Sequence, residues 1–317
     1  MLYKILTLFV IISLTVSLSV FFVNQSFQKK IESRYKNLFN LYQKLDKELD
    51  SIVQRVPPYV LTGNSVGFVI EFENGKNFYF AGDTPLSPNL KMVGEYFSPD
   101  VVFLPIGNIY TMNPENAAFA TKLMNPAYII PTSYGVFPEL EQTPDSFLEE
   151  LKKYNLKTEP LVFKPGEERR VFGIKIIFLG GKNWLLESPS GTRILINPGI
   201  RYNPDFPRKY QELIQLERID LVLITSGRFD SFTLFDTRKW GQLFDPVFIA
   251  PYELGIWLKS QLPGYQILAL GGGAKIGVEE MRKFGVPEKN LEEIKIKGIN
   301  LVSSTNTSSV TPGGITP

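Results

Sequence analysis

The sequence contains no histidine and no cysteine among its 317 residues, so its chemistry must come from carboxylates, cationic side chains, amides and hydroxyls. This composition excludes disulfides, thiolate nucleophiles, Ser-His triads and nearly every zinc site. Two short polar segments, residues 81–84 and 225–231, carry the carboxylates Asp83 and Asp230, with Arg228 beside the second. Paired carboxylates can act as a metal-free acid and base, whereas a structural role would have Asp83 bind backbone amides and Asp230 cap the next helix.

A glycine run, residues 271–275, follows a predicted strand. Its amides could cradle a phosphate, but the spacing fits neither the Walker nor the Rossmann pattern, and a turn is the simpler interpretation.

Hydrophobic residues make up 44% of the chain and charged residues 21%, as in ordinary globular proteins. The formal net charge of +2 provides no field for nucleic acid, so no nucleic-acid partner is expected.

The amino-terminal part has a run without charges over residues 5–23, long enough for a helix that spans a hydrocarbon core. We predict a membrane anchor over 1–27, with a cleaved signal peptide as the alternative. The charge bias places the body in the cytoplasm, whereas the short amino-terminal tail resembles a signal-anchor. The prediction is a single-pass membrane protein with an extracytoplasmic body.

Apolar residues then recur at heptad spacing over residues 31–56, and Pro57-Pro58 ends the pattern. This spacing predicts a coiled-coil stalk over 28–57 through which the chain forms a homo-oligomer. The alternative is an amphipathic helix that lies on its own domain. No protein partner can be named from the pattern.

Beyond Pro58, short β-rich runs alternate with helical ones, which is typical of an α/β fold. Asn74-Gly75 predicts a hairpin turn between strands at 66–72 and 77–81. Further strands are expected at 101–104, 128–130, 161–163, 174–179, 184–187, 193–196, 221–224, 247–250 and 266–270, and helices at 114–124, 144–154 and 252–260.

Several motifs in this body resemble one family, the metallo-β-lactamase-fold metal-dependent hydrolases related to ascorbate-6-phosphate lactonase. Residues 67–75, 80–84, 99–107, 111–115 and 130–138 are similar to the carboxy-terminal half of that family, and residues 178–181, 193–198 and 220–225 to its amino-terminal half. The resemblance implies a metallo-β-lactamase-like αββα sandwich.

The two halves stand in reversed order. We expect a circular permutation, with one half-domain at 58–163, a linker at 164–172 and the other half-domain at 173–317, because termini that lie close together make permutation cheap. A domain swap between two chains is the alternative. The permutation requires the end of the chain to lie near residues 61–63.

The resemblance also implies where the metal ligands of the family would lie. Asp83 and Asp230 match retained aspartates, while the positions of the histidines are taken by Ser226, Arg228, Ser231, Asn306 and Ser133. Two carboxylates with hydroxyl neighbours do not suit a zinc pair, so no metal and no other cofactor is expected. Arg228 is expected to pair with Asp83 or Asp230 and to supply the local positive charge.

Three functions follow from these residues. The main prediction is a catalytically inactive, membrane-anchored scaffold or binding subunit, since every metal-ligating histidine is lost while the fold motifs persist. The second is a hydrolase or lactonase-like enzyme with altered chemistry that uses Asp83, Asp230, Arg228 and Tyr134. The third is an anion or small-molecule sensor in the same cleft. An open, polar cleft that contains Arg228 favours the second and third, and a cleft filled by aromatic side chains such as Phe229 favours the first.

Overall fold

The computed structural model describes residues 63–135, 139–141 and 143–303, all within the compact unit Tyr59–Pro317. The predicted anchor, the predicted stalk and Asn306 lie outside these residues. No helix in the described ranges is both long enough and apolar enough to cross a membrane. This finding gives no support to the predicted membrane localisation, and homo-oligomer formation through residues 31–56 stays a prediction.

The first sheet has seven strands and draws them from both ends of the described chain. Its spatial order is β13-β14-β1-β2-β3-β4-β5, in which the pairs from β2 to β5 are parallel and the others antiparallel. The strands are β1 (Val66–Glu71), β2 (Asn77–Phe80), β3 (Val101–Pro105), β4 (Tyr128–Thr132), β5 (Glu159–Pro160), β13 (Lys275–Ile276) and β14 (Gly298–Ser303).

The second sheet is also mixed, with the order β12-β11-β10-β9-β8-β7-β6. Its pairs from β9 to β12 are parallel, and those from β6 to β9 are antiparallel. The strands are β6 (Glu168–Val171), β7 (Ile174–Phe178), β8 (Trp184–Glu187), β9 (Arg193–Ile196), β10 (Leu221–Leu223), β11 (Val247–Pro251) and β12 (Ile267–Leu270). Four residues of the predicted linker therefore form β6.

Seven α-helices accompany the sheets in the described ranges. They are α1 (Pro88–Phe97), α2 (Pro114–Met124), α3 (Asp145–Lys152), α4 (Leu234–Phe244), α5 (Tyr252–Gln261), α6 (Val278–Lys283) and α7 (Glu288–Leu291). Short 3₁₀ turns occupy Arg208–Tyr210 and Leu213–Leu216. The α2 helix begins as its sequence predicts, with Asn113 accepting a hydrogen bond from the Asn116 amide and Pro114 in the first turn.

Alternation along the strands divides the apolar residues into three clusters. One face of each sheet contributes to a shared core between the sheets, which includes Phe103 and Trp184. The opposite face of the first sheet packs on α1 to α3, and that of the second packs on α4 and α5. The result is the expected αββα metallo-β-lactamase-like sandwich, in which each sheet is buried on both faces.

The structure also differs from the expected elements. The strand expected at 161–163 does not form: β5 lies just before it, at Glu159–Pro160, and its pairing with β4 ends where the Leu161 amide donates to the Ile129 carbonyl. Leu161 and Phe163 instead pack into the core between the sheets. The glycine run at 271–275 forms the turn between β12 and β13, with the Ala274 amide donating to the Gly271 carbonyl.

Candidate functional site

The candidate site lies where parallel strands of both sheets end. Asp83 follows β2, Ser133 follows β4, and Asp230 lies in the loop between β10 and α4. In open α/β sheets this edge is the usual place for ligand sites, because loops from neighbouring strands converge there. The Val66 amide donates to the Thr225 carbonyl at 2.8 Å and joins the two sheets at this edge.

Asp83 depends on a backbone arrangement that only glycine allows. Gly82 has a φ of +64°, and a Cβ at that position would lie 2.6 Å from the Val66 carbonyl oxygen. The left-handed conformation and the close approach of β1 together account for glycine before the aspartate. Asp83 is thereby turned from the end of β2 towards the second sheet, where its carboxylate meets Lys182.

Lys182 is the residue that sequence analysis missed. It lies in the turn between β7 and β8, and its Nζ is 2.7 Å from Asp83 Oδ1 and 2.9 Å from Asp83 Oδ2. The same Nζ lies 2.9 Å from Asp230 Oδ2 in a second ion pair. The Lys182 side chain is 9% exposed, which leaves little solvent to screen the three charges.

Amide side chains hold the Lys182 turn in place. Asn183 Nδ2 donates to the carbonyls of Asn197 and Gly199, and Asn197 Nδ2 donates to the Lys182 carbonyl at 3.3 Å. The Oδ1 atom of Asn197 accepts from both the amide and the hydroxyl of Thr225. Hydrogen bonds of the residues that follow β9 and β10 therefore fix the position of the Lys182 backbone.

Arg228 is the second cation at this site. Its Nε lies 3.5 Å from Asp83 Oδ2 and 3.4 Å from Asp230 Oδ1, and its guanidinium packs on the Tyr110 ring. The expected pairing of Arg228 with the two aspartates thus has a structural basis. Burial alone would lower the pKa of Arg228, but the charges of Asp230 and Asp83 outweigh it and raise that pKa.

Asp230 is held ionised by the same two cations. Burial alone would raise its pKa, but the positive charges of Lys182 and Arg228 outweigh burial and keep the pKa below its usual range. Asp230 does not cap the following helix, because Thr233 is the N-cap of α4 and accepts from the Asp236 amide. The capping role considered for Asp230 is therefore wrong.

The other candidate residues have different surroundings. Ser226 and Ser231 are buried, and their hydroxyls have no hydrogen-bond partner among the residues that the structure describes. Ser133 lines the open space beside Lys182, with a left-handed φ of +60°. Tyr134 packs instead against the outer core of the first sheet, where burial raises its pKa.

The space above the cluster is a cleft of two adjacent pockets that share Ser133 and Lys182. The pockets enclose about 330 and about 250 Å³, counting the part open to solvent. Arg228 and Asp230 line the second pocket, whereas Phe229 packs edge-on against Tyr202. The floor of the first pocket includes Phe103 and Trp184, so the cleft combines an apolar floor with a charged wall.

The metal pair implied by the family resemblance does not fit these residues. Zinc–oxygen bonds are about 2.0–2.2 Å long, so an ion between Asp83 and Asp230 would have to displace the Lys182 ammonium. The histidine positions that the structure describes hold Ser133, Ser226, Arg228 and Ser231. Within the described ranges, no group of three or more histidine, cysteine, aspartate or glutamate residues is arranged to hold a metal.

Comparison with known proteins connects part of the chain to metal-dependent hydrolases. A model described as a β-lactamase superfamily domain matches residues 41–133. A UPF0173 metal-dependent hydrolase from Chloroflexus aurantiacus is 42% identical over 105 residues, which is 33% of this chain and 43% of the relative. One from Methanopyrus kandleri is 44% identical over 108 residues, or 34% of this chain and 46% of the relative.

A solved structure, a metallo hydrolase from the hyperthermophilic archaeon Ignicoccus hospitalis, matches at 38% identity over 31% of this chain and 42% of that chain, with a TM-score of 0.29. The matched stretch thus covers less than half the length of each of these three proteins.

The two UPF0173 relatives are named as metal-dependent hydrolases, and none of the comparisons supports an inactive membrane scaffold. The prediction of a pseudoenzyme acting as a scaffold is therefore wrong. The matched part of the sequence is therefore similar to the β-lactamase superfamily domain and to the UPF0173 metal-dependent hydrolases.

Proposed function

We propose that this protein is a hydrolase with chemistry altered from that of its metal-dependent relatives, acting on a small molecule in the cleft beside Lys182. The observation that carries the proposal is a small cleft, part of it open to solvent, whose wall contains Lys182, Arg228 and Asp230 together. The relatives support hydrolysis as the reaction class. The charged wall supports a polar or anionic substrate, such as an ester, a lactone or a phosphate ester.

The cations of the cleft suit the stabilisation of negative charge. Hydrolysis of an ester or lactone places negative charge on the former carbonyl oxygen, and preorganised donors in a shielded site stabilise that charge. Lys182 and Arg228 supply the positive charge there, from the wall of the second pocket. Asp83 and Asp230 orient the cations, and Asp230 with its lowered pKa is a weak base.

A sensor that binds an anion without turnover is the second candidate. The observation that favours it is that the two carboxylates already pair with the two cations, so that the charges of the cluster compensate each other. Such an arrangement provides polar groups that can bind a ligand, but its carboxylates are weak bases for catalysis. Binding of an anion without product formation distinguishes this function from hydrolysis.

The test is a hydrolysis assay of the full chain on generic esters, lactones and phosphodiesters, with EDTA or with added manganese. We expect turnover that EDTA leaves unchanged and that Lys182→Met lowers by about 10²–10³-fold, the usual effect of losing one donor to a developing oxyanion. Lys175→Met removes a lysine paired with Glu168 away from the cleft and is the matched control. Turnover that requires manganese and disappears in Asp83→Asn would show ordinary metal-dependent hydrolysis.

We further propose that the fold is a circular permutation within one chain. In support, β14 pairs antiparallel with β1, and Ser303 lies opposite Val66. The end of the described chain is thereby brought to the start of β1, as a permuted connection requires. The domain swap would instead form the same pairing between two chains, and the oligomeric state of a chain shortened to residues 59–317 tests this.

A further inference from the structure

We infer that the Lys182 ammonium is an internal replacement for the metal of the relatives, and that it closes the position between Asp83 and Asp230 to divalent cations. This inference concerns which ion the site accepts. It goes beyond the proposed hydrolysis and is independent of it, because its test requires no substrate.

The geometry places one cation against both retained carboxylates. Lys182 Nζ approaches three oxygens of Asp83 and Asp230 at 2.7–2.9 Å. A divalent ion that bound these oxygens would occupy the same position, so the two cations exclude each other sterically as well as electrostatically. Arg228 adds a second fixed positive charge within 3.5 Å of both carboxylates.

The charges of the cluster and the groups next to it support the inference that Lys182 takes the place of a bound ion. Two aspartates, one lysine and one arginine sum to zero, so the buried cluster is neutral without any bound ion. Ser226 and Ser231, which lie where the family has histidines, are neutral hydroxyls and poor ligands for a transition metal. The two ion pairs of Lys182 also join Asp83 of the first half-domain to Asp230 of the second.

The experiment measures ion binding by the full chain and its variants, by calorimetric titration and by melting temperature with millimolar Mn²⁺ or Zn²⁺. We expect the native chain to show no binding that depends on Asp83. Lys182→Ala should bind Mn²⁺ at least about tenfold more tightly than the native chain, and the ion should raise its melting temperature more than that of the native chain.

Two further variants make the result specific. Asp83→Asn introduced into Lys182→Ala should abolish the gain, since one of the two carboxylates is lost. Lys175→Ala, which removes an ion pair with Glu168, should behave as the native chain does. If Lys182→Ala is insoluble alone, recovery of soluble protein by expression with Mn²⁺ supports the inference.

Two results overturn the inference. One is binding of Mn²⁺ or Zn²⁺ by the native chain that Asp83→Asn weakens, which would show that the ion and Lys182 do not compete. The other is a Lys182→Ala variant that neither ion stabilises or recovers. Absence of hydrolysis alone bears only on the proposed function.

Discussion

At the scale of single residues, the central feature is a buried cation between two buried carboxylates. Lys182 compensates Asp83 and Asp230 in a region with little access to water. Removal of one member of a buried ion group is costly because the remaining charges lose both their partner and their solvent. A substitution of Lys182 should therefore lower the stability far more than a substitution in an exposed ion pair.

We predict that Lys182→Met lowers the free energy of unfolding by about 3–5 kcal/mol, the usual cost of breaking a buried ion pair. Lys175→Met, which breaks the more exposed pair with Glu168, should cost about 1 kcal/mol or less. Urea denaturation of the three proteins measures both values. Equal effects of the two substitutions would contradict the central role of Lys182.

The lowered pKa of Asp230 predicts a loss of stability in acid. Lys182 and Arg228 hold the folded-state pKa below the unfolded value of about 3.9, so the stabilisation is present above that pH and is lost as the pH falls through the folded pKa. The stability advantage of the native chain over Asp230→Asn should be constant above about pH 5 and shrink below about pH 4. Unfolding titrations at several pH values check this, and an advantage that grows in acid would contradict it.

At the scale of elements, the cleft depends on the close approach of two loops. Gly107 follows β3, and a Cβ there would lie 2.1 Å from the Ser133 carbonyl oxygen, which is backbone and cannot move aside independently. Ser133 is itself in a left-handed conformation at the edge of both pockets. The shape of the cleft is therefore set by the ends of β3 and β4 as well as by the charged residues.

We predict that Gly107→Ala costs about 1–3 kcal/mol of stability, as expected for overpacking, and weakens ligand binding in the cleft. Gly271→Ala is the matched control, because a Cβ there has no atom within 4 Å among the described residues and its φ is not left-handed. Thermal melts and ligand titrations compare the two variants. A harmless Gly107→Ala would show that β3 and β4 can separate at no cost.

At the scale of the whole molecule, the two halves of the sequence build one core. The first sheet takes β1 to β5 from one half and β13 and β14 from the other, and the central cluster combines apolar residues of both sheets. Polar contacts add to this, since the Glu73 carboxylate accepts from the Ser188 hydroxyl and the Ser190 amide. Neither half buries its apolar face alone.

We predict that residues 59–164 and 165–317, expressed as separate chains, are each insoluble but purify together when co-expressed. The physical reason is that β1 loses β14, and the central core loses one of its two sheets, when either half is absent. Co-purification and circular dichroism of the pair provide the measurement. A first half that is monomeric and folded by itself would contradict the shared core.

The sequence by itself determined most of the local secondary structure and which metal ligands are absent from the site. Alternation and turn residues predicted the hairpin of β1 and β2, most of the strands and α2, because these depend on neighbours along the chain. The same reasoning placed no element over α1 or α4, and it placed a strand at 161–163, directly after the actual position of β5. The absence of histidine was sufficient to exclude the usual zinc ligands.

Only the tertiary structure decided what lies between the two retained aspartates. Lys182 follows two glycines and has the sequence context of an ordinary turn residue, yet it binds a carboxylate 99 positions away. No local pattern reports such a contact, because it depends on how two sheets face each other and on which turns meet at their common edge. The tertiary structure therefore changed a site defined by lost ligands into one built around a buried cation.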